Sequence, residues 1–341
     1  MADAACRYRS GLRHWHPLLP SRRLGRRPRR QLLCGQALVL FRTASGQAAA
    51  LAEVCPHRRM SLAAGTVRGE QLLCAYHGWR FAADGSISCP LMPAVALQQQ
   101  AFQVREADGL IWVRRPGKSE QPHEAPPLPS WPRGDLLPAG LTLHTVAAPL
   151  EVTLDNFTET EHTTTIHQVF GFRDPAAVTL RLELEPASTR VWNSGPQKAF
   201  PRLFDAFIDI RPHDHFANDW TTRFDPPLTV FEQTWQTQGR GGWRRRRFRL
   251  RVVVFFLPLS DTTTQLTTLL YTPRVLPGPL HGWLAAPIAR AIMAYELRLD
   301  VKALAQLADL NPDLCARTLG PFDRVLLENR RRLQMIYLGT E

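Results

Sequence analysis

No run of apolar residues in the chain is long enough to cross a membrane, which takes about 20 in succession. The most apolar late stretch, PLHGWLAAPIARAIMAYELRL, is interrupted by Pro287, Arg290 and Glu296. Nor does an apolar segment follow Met1: the opening is polar and arginine-rich, unlike a cleaved secretory signal. The expectation is a cytoplasmic protein without a membrane span. Acidic residues are short, 30 against 42 Lys and Arg, for a formal charge of +12. Nucleic acid is the first partner such a balance suggests. The two arginine runs, 22–30 (RRLGRRPRR) and 244–251 (RRRRFRLR), nevertheless read poorly as recognition elements. The second leads directly into VVVFFLPL, so its arginines read as the solvated or interface face of a strand, and no nucleic-acid partner is expected. Cysteine is scarce too, with six in 341 residues. In a long chain without an export signal these point to metal or free thiols rather than a disulfide framework. Internal repeats and low-complexity tails are also missing.

What is present divides in two. From Trp15 to about Gly117 the segments are short, rich in Val, Leu, Ile and Phe, and punctuated by turns. ALVLFRTASGQAAAL reads as two strands joined at Ser45-Gly46, WRFAADGSIS as a hairpin around Asp84-Gly85, and GLIWVRRP as a closing strand. Six prolines then fall between Pro116 and Pro132, a composition that suits neither helix nor central sheet and marks a boundary. Beyond it, LTLHTVAAPLEVTLDNFTETEHTT begins strand-like and turns helical. Four strand-like segments follow, from AVTLRLELEP to TTQLTTLLYTPR, and the last sixty or so residues read as mostly helical. The expectation is α+β: an all-β domain over 1–117 and an antiparallel sheet with helices over 118–341.

Chemistry concentrates first in CPHRRMSLAAGTVRGEQLLCAYHGW, residues 55–79. Two Cys and two His are compatible with tetrahedral zinc, but zinc fingers place both cysteines in one arm and both histidines in the other. Here Cys55 and His57 form one arm, Cys74 and His77 the other. One Cys and one His from each loop suits a [2Fe–2S] cluster in which one iron takes two thiolates and the other two imidazoles. Neutral imidazoles raise the potential to about −150 to +300 mV, against about −400 mV for an all-Cys plant-type cluster. Pro56 stiffens one loop, and Gly78 with Trp79 lets the other turn tightly. These two arms resemble those of a Rieske iron–sulfur domain.

A second set lies in LDNFTETEHTTTIHQVFGF. His162 and His167, five apart, would sit about 140° apart on a regular helix, so they can share a metal only if the helix distorts or ends between them. The β-branched run Thr163-Thr164-Thr165 makes that plausible. In AIMAYELRLDVKALAQLADL the apolar Met293, Leu297, Leu304 and Leu307 share a helical face on which Asp300 also falls, while Arg298, Lys302 and Asp309 point away. A carboxylate on a buried stripe needs a counter-charge or a metal. His162, His167 and Asp300 would make a two-His, one-carboxylate set with open positions on non-haem Fe(II); a buried Asp300–Arg pair with two packed histidines is the alternative.

Together the motifs resemble the terminal oxygenase α subunit of the Rieske non-haem iron oxygenases, in the α-only branch of vanillate O-demethylase and phthalate oxygenase. The resemblance implies a Rieske domain followed by a helix-grip catalytic domain with a mononuclear iron pocket, and head-to-tail homotrimers. The basic charge, for its part, suits docking of an acidic redox partner. The family pattern reads here Asp155-Asn156-x-x-Glu159-x-x-His162-x-x-x-x-His167, with Glu159 where an aspartate is usual. By resemblance that carboxylate links an iron-bound histidine to a Rieske histidine of the neighbouring subunit, and Asn156 tunes the iron. Electrons would come from NAD(P)H through a ferredoxin and/or flavin reductase, with O2 as cosubstrate. The expected reaction is monooxygenation, by hydroxylation or O- or N-demethylation, of an apolar, aromatic or polycyclic small molecule. Arene cis-dihydroxylation and a non-catalytic Rieske electron carrier are alternatives. Phe204, Phe207, Ile208 and Trp220 are expected to shape the pocket. RPHDHF, with His213, Asp214 and His215, reads as a surface loop, and His14 and His16 as packing or hydrogen-bonding residues.

Overall fold

The computed structural model describes residues 6–89, 91–92, 96–117, 127–198, 208, 210–315, 317–320 and 323–339. The chain folds into two compact units, Met1–Pro129 with Leu257–Asp261, and Ser130–Phe256 with Thr262–Glu341.

The first unit is built of short strands because its apolar residues alternate over few positions between turns. Strands β1 (His16–Pro20), β2 (Arg29–Leu33), β3 (Gln36–Arg42), β4 (Ala48–Ala52), β10 (Ala101–Ala107) and β11 (Leu110–Arg114) form a six-stranded sheet in the order β1-β11-β10-β4-β3-β2. A smaller sheet, inserted in sequence between β4 and β10, runs β5 (Thr66–Arg68), β6 (Gln71–Leu73), β7 (Arg80–Phe81), β8 (Ser86–Ser88) and β9 (Leu97–Gln98). Val39, Phe41, Leu51, Leu62, Leu72, Phe81 and Ile87 form a buried cluster that also takes in Cys55, Cys74, Cys89 and Trp79. Cys34 is buried as well, and His16 is buried with its Nε2 2.9 Å from the Gly11 carbonyl oxygen.

The second unit is a seven-stranded antiparallel sheet. Its strands are β12 (Leu137–Val146), β13 (Thr179–Leu184), β14 (Ser188–Pro196), β15 (His215–Phe224), β16 (Pro227–Gly239), β17 (Gly242–Ser260) and β18 (Thr263–Thr272), in the order β12-β18-β17-β16-β15-β14-β13. Helices α1 (Leu150–Thr158) and α2 (His162–Thr165) follow β12, and α3 (Ala286–Leu304) and α4 (Arg324–Arg332) follow the last strand. The fold is α+β, as expected. No helix among the described residues is long and apolar enough to cross a membrane.

Three local readings need correction. Strands β14 and β15 escaped the sequence reading because their inner faces carry Asn, Ser and Thr among the apolar residues, which blurs the alternation. RPHDHF is therefore not wholly a surface loop: His215 opens β15, and Asp214 is 1% exposed, held by Arg246 through Nε at 2.9 Å and Nη2 at 3.0 Å. Third, α3 stops at Leu304, so Leu307 lies beyond the helix and is exposed, and much of the described chain between α3 and α4 is irregular. In the 244–251 run, Arg246, Arg249 and Arg251 pair with Asp214, Asp135 and Glu232, while Arg244, Arg245 and Arg247 are exposed.

Candidate functional site

Cys55 and Cys74 head two loops of the same form. Cys55 N–H donates to the Met60 carbonyl at 2.9 Å and Arg59 N–H returns to the Cys55 carbonyl at 3.0 Å; Cys74 N–H donates to Trp79 at 2.9 Å and Gly78 N–H to Cys74 at 3.2 Å. Each loop turns through a left-handed residue at the same offset, Arg59 at φ 56° and Gly78 at φ 67°. Gly78 takes this conformation without strain, whereas Arg59 bears a Cβ penalty. The thiols face the core and the imidazoles face solvent: Cys55 and Cys74 are buried, His57 and His77 exposed. The two imidazole rings lie 4.5 Å apart, and His57 stacks on Trp79 at 4.7 Å with 3° between planes. Burial first, then the neighbouring Cys74 thiol, raises the Cys55 pKa. His57 is held below the ordinary imidazole value by desolvation, then by His77 and Arg58. Two inward thiols and two outward imidazoles on twin loops suit a two-iron cluster with one iron on each side.

In the second unit the helix breaks where two histidines must meet. At Glu159 the backbone becomes extended, and α2 ends at Thr165 before His167. Gly171, at φ 124°, lets the following chain approach α2: a Cβ there would sit 2.6 Å from the Thr163 carbonyl oxygen. His162 Nε2 and His167 Nε2 are 3.1 Å apart, and they lie 3.4 and 3.2 Å from Asp300 Oδ1. Among the described residues, these three offer metal-ligating atoms all within 4.8 Å of one another. The opposite ring nitrogens are anchored by carboxylates: His162 Nδ1 bonds to Glu159, and His167 Nδ1 lies 2.7 Å from Glu296 Oε2. Anchoring one imidazole nitrogen to aim the other is a recurrent feature of metal sites. Asn156 Nδ2 donates to Asp300 Oδ1 at 3.1 Å.

Burial depresses both histidine pKa values, but Asp300 and the anchoring carboxylates more than offset it, pushing His162 up to about 9 and His167 in the same direction. Asp300, despite burial that works the other way, is held below the usual carboxylate range by the two histidines. The two imidazoles and the carboxylate converge where a divalent cation would sit, and an imidazole must be neutral to ligate it. The donor set fits a two-His, one-carboxylate iron site.

Glu296 was missed by sequence reasoning. It lies one turn before Asp300 on the buried stripe, 1% exposed, and its Oε1 also accepts from Gln168 N–H at 3.2 Å and Val169 N–H at 3.1 Å. A second carboxylate at i−4 on an apolar stripe was the available signal. The arginine pair considered for Asp300 belongs instead to Asp155, which takes two bonds from Arg330. Burial pushes the Asp155 pKa up even so.

Beside the triad is a partly open cavity that encloses about 660 Å³ of empty space, the solvent at its mouth included. Phe157, Phe170, Phe216, Trp220 and Phe231 contribute aromatic wall, with Val252, Val254, Met293 and Leu297. Trp220 thus lines it; Ile208 is half-buried, and Phe204 and Phe207 lie outside the described residues.

Comparison with known proteins agrees with both halves. Residues 14–101 match the model of the Rieske [2Fe-2S] domain. The chain is 29% identical over 249 residues to the vanillate O-demethylase oxygenase subunit of Pseudomonas sp. (strain ATCC 19151), covering 68% of this chain and 74% of that one. It is 39% identical over 110 residues to the 3-chlorobenzoate-3,4-dioxygenase oxygenase subunit of Comamonas testosteroni, a match that spans 29% of this chain and only 25% of that subunit. Among solved structures, dicamba monooxygenase bound to 3,6-dichlorosalicylic acid superposes with a TM-score of 0.76 at 16% identity, covering 96% of this chain and 97% of the other. The QL mutant of NdmA from Pseudomonas putida CBB5, with caffeine, gives 0.71 at 18% identity, covering 97% of this chain and 92% of the other. The chain is a Rieske-domain protein with the α+β fold of that group. More narrowly, it is a homologue of the α subunits of the Rieske non-haem iron oxygenases, a family of oxidoreductases.

Proposed function

We propose that the chain is the terminal oxygenase of a multicomponent system, monooxygenating an apolar aromatic small molecule by hydroxylation or O- or N-demethylation. The observation that carries this reading is the convergence of His162 Nε2, His167 Nε2 and Asp300 Oδ1 at the edge of an aromatic-walled cavity, in a chain that also has the two Cys/His loops. Cys55, Cys74, His57 and His77 would hold the [2Fe–2S] cluster, and His162, His167 and Asp300 the mononuclear iron. When bound, these centres supply single electrons and open coordination positions for O2.

The residues around them have separate tasks. Glu159 and Glu296 fix the two imidazoles so that both Nε2 atoms face one point. Asn156 orients Asp300 through Oδ1 and leaves the other carboxylate oxygen less constrained. The aromatic wall excludes water and holds a flat ring against the triad. Exposure of His57 and His77 leaves the imidazole side of the cluster accessible for electron exchange. A ferredoxin and/or flavin reductase would deliver electrons from NAD(P)H, and an acidic docking face on that partner matches the +12 charge. A cytoplasmic homotrimer, in which Glu159 lies on the route from a neighbouring subunit's cluster, completes the proposal.

The test is an EPR and absorption spectrum of the purified protein with and without dithionite, with iron analysis of wild type and His162→Ala. A Rieske signal in both, with mononuclear iron lost only in the variant, is expected. A missing Rieske signal, or iron unaffected by the substitution, would sink the reading.

A further inference from the structure

Three adjacent strands carry a row of amides on one face. Asn193 in β14 is the cross-strand partner of Asn218 in β15, and Asn218 of Gln233 in β16. Direct partners in an antiparallel sheet point to the same side, and all three line the cavity. The rows on either side are apolar: Val191, Trp220, Phe231 and Val252 on one, Phe216 and Trp235 on the other. The sheet therefore places one polar stripe between two aromatic ones.

The stripe is not satisfied within the protein. Asn193 Oδ1, Asn218 Oδ1, Gln233 Oε1 and the Trp220 indole Nε1 are buried with no hydrogen-bond partner. Each such atom has given up its hydrogen bonds to water without a replacement in the protein. The next polar row of the same sheet shows the contrast: Thr222 and Thr229 hydroxyls bond each other at 3.0 Å, and Thr189 bonds Asn329 at 2.5 Å. Asn193 Nδ2 donates at 3.1 Å to the hydroxyl of Thr160, two residues before His162. Either end of an amide can face a ligand, so the row offers acceptors and donors, with the indole N–H as a further donor. Among the described residues no Lys or Arg lines the cavity, while Glu159, Glu296 and Asp300 do. A carboxylate on the substrate would find no Lys or Arg on the described cavity wall to pair with.

We propose that Asn193, Asn218 and Gln233, with the Trp220 N–H, form the substrate-selecting subsite. It takes neutral aromatic molecules whose edge carries a hydrogen-bond donor, such as a phenolic hydroxyl or a ring amide, and disfavours benzoate-type anions. This deepens the oxygenase reading and rests on it.

Calorimetric titration of the metal-loaded protein with two matched sets tests the subsite: guaiacol, veratrole and vanillate, and naphthol, methoxynaphthalene and naphthoate. At least one hydroxyl compound should bind about tenfold or more tightly than its ether and its acid, the worth of one well-made hydrogen bond. Asn218→Leu and Gln233→Leu should each remove that preference, bringing the hydroxyl compound and its ether to within about twofold of each other. Where a leucine variant fails to fold, Gln233→Lys supplies the check by raising the affinity for the acid. No binding by either hydroxyl compound, equal binding of ether or acid, or an unaltered preference in the variants overturns the proposal. Iron content and the cluster spectrum, recorded on the same samples, separate the two ideas: iron present without donor preference refutes the subsite alone, and iron absent refutes the oxygenase reading.

Discussion

Cys55, His57, Cys74 and His77 come from two loops within residues 55–77, whereas His167 meets its anchor Glu296 across 129 positions of chain. The proposed cluster loops are closed by hydrogen bonds between residues four and five apart and rest on the core of their own unit. The proposed iron site exists only because α3 lies against the broken end of α1 and α2. One region is therefore locally encoded, and the other depends on the packing of a whole unit. Substitutions should separate the two.

The largest effect is expected from Cys55→Ser, which should abolish the visible absorption and Rieske EPR signal altogether while the converse change, His162→Ala, leaves them intact. Loss of the cluster in both variants would mean that the regions are not independent. Next comes Arg330→Met, which strands the buried Asp155 carboxylate behind the broken helix. Removing one partner of a buried pair costs about 3–5 kcal/mol, so denaturant melting followed by a probe in the second unit should show that loss, with the cluster spectrum of the folded protein unchanged. Third, Glu296→Gln removes the charge that anchors His167 Nδ1. Iron affinity should fall roughly 10–100-fold, as for other residues that orient a metal-bound histidine; iron titration of the metal-free protein checks this, and no change would show that the anchor is dispensable.

The smallest effect belongs to the first unit. Arg42 forms a bidentate pair with Glu106, at 2.6 Å from Nη2 and 3.0 Å from Nη1. The Arg42 bond, offset in part by desolvation, holds the Glu106 carboxyl below its ordinary value. A depressed folded-state pKa stabilises above the unfolded value, about 4.3 for Glu, and the stabilisation is lost as pH falls through the lower folded one. Glu106→Gln should thus cost under about 1 kcal/mol at neutral pH, because the pair is partly exposed. Melting curves of wild type and variant should converge below about pH 4; a difference that persists in acid would point to packing instead.

Legibility in the sequence followed the same division. The Cys/His arms could be read because residue type, order and spacing are all local. His162 and His167 could be read only as a pair that needed a break, and the extended backbone at Glu159 with the end of α2 at Thr165 is that break. Asp300 was legible from the helical period. Glu296 occupies the same stripe one turn earlier, yet it registered only as an interruption of apolar sequence, because nothing local shows that two backbone N–H groups and an imidazole will converge on it. The amide row was invisible for a related reason. Asn193, Asn218 and Gln233 lie on three strands, two of which went unrecognised, and their alignment is a matter of register.

The sequence by itself determined the α+β class, the Cys/His loops and the residues offered for the mononuclear site, because turns, period and spacing act over a few residues. Tertiary structure alone decided which carboxylate pairs with arginine, which anchors a histidine, and which polar side chains remain without partners in the cavity wall. Those outcomes depend on burial and on neighbours brought from distant parts of the chain, and no local pattern specifies them.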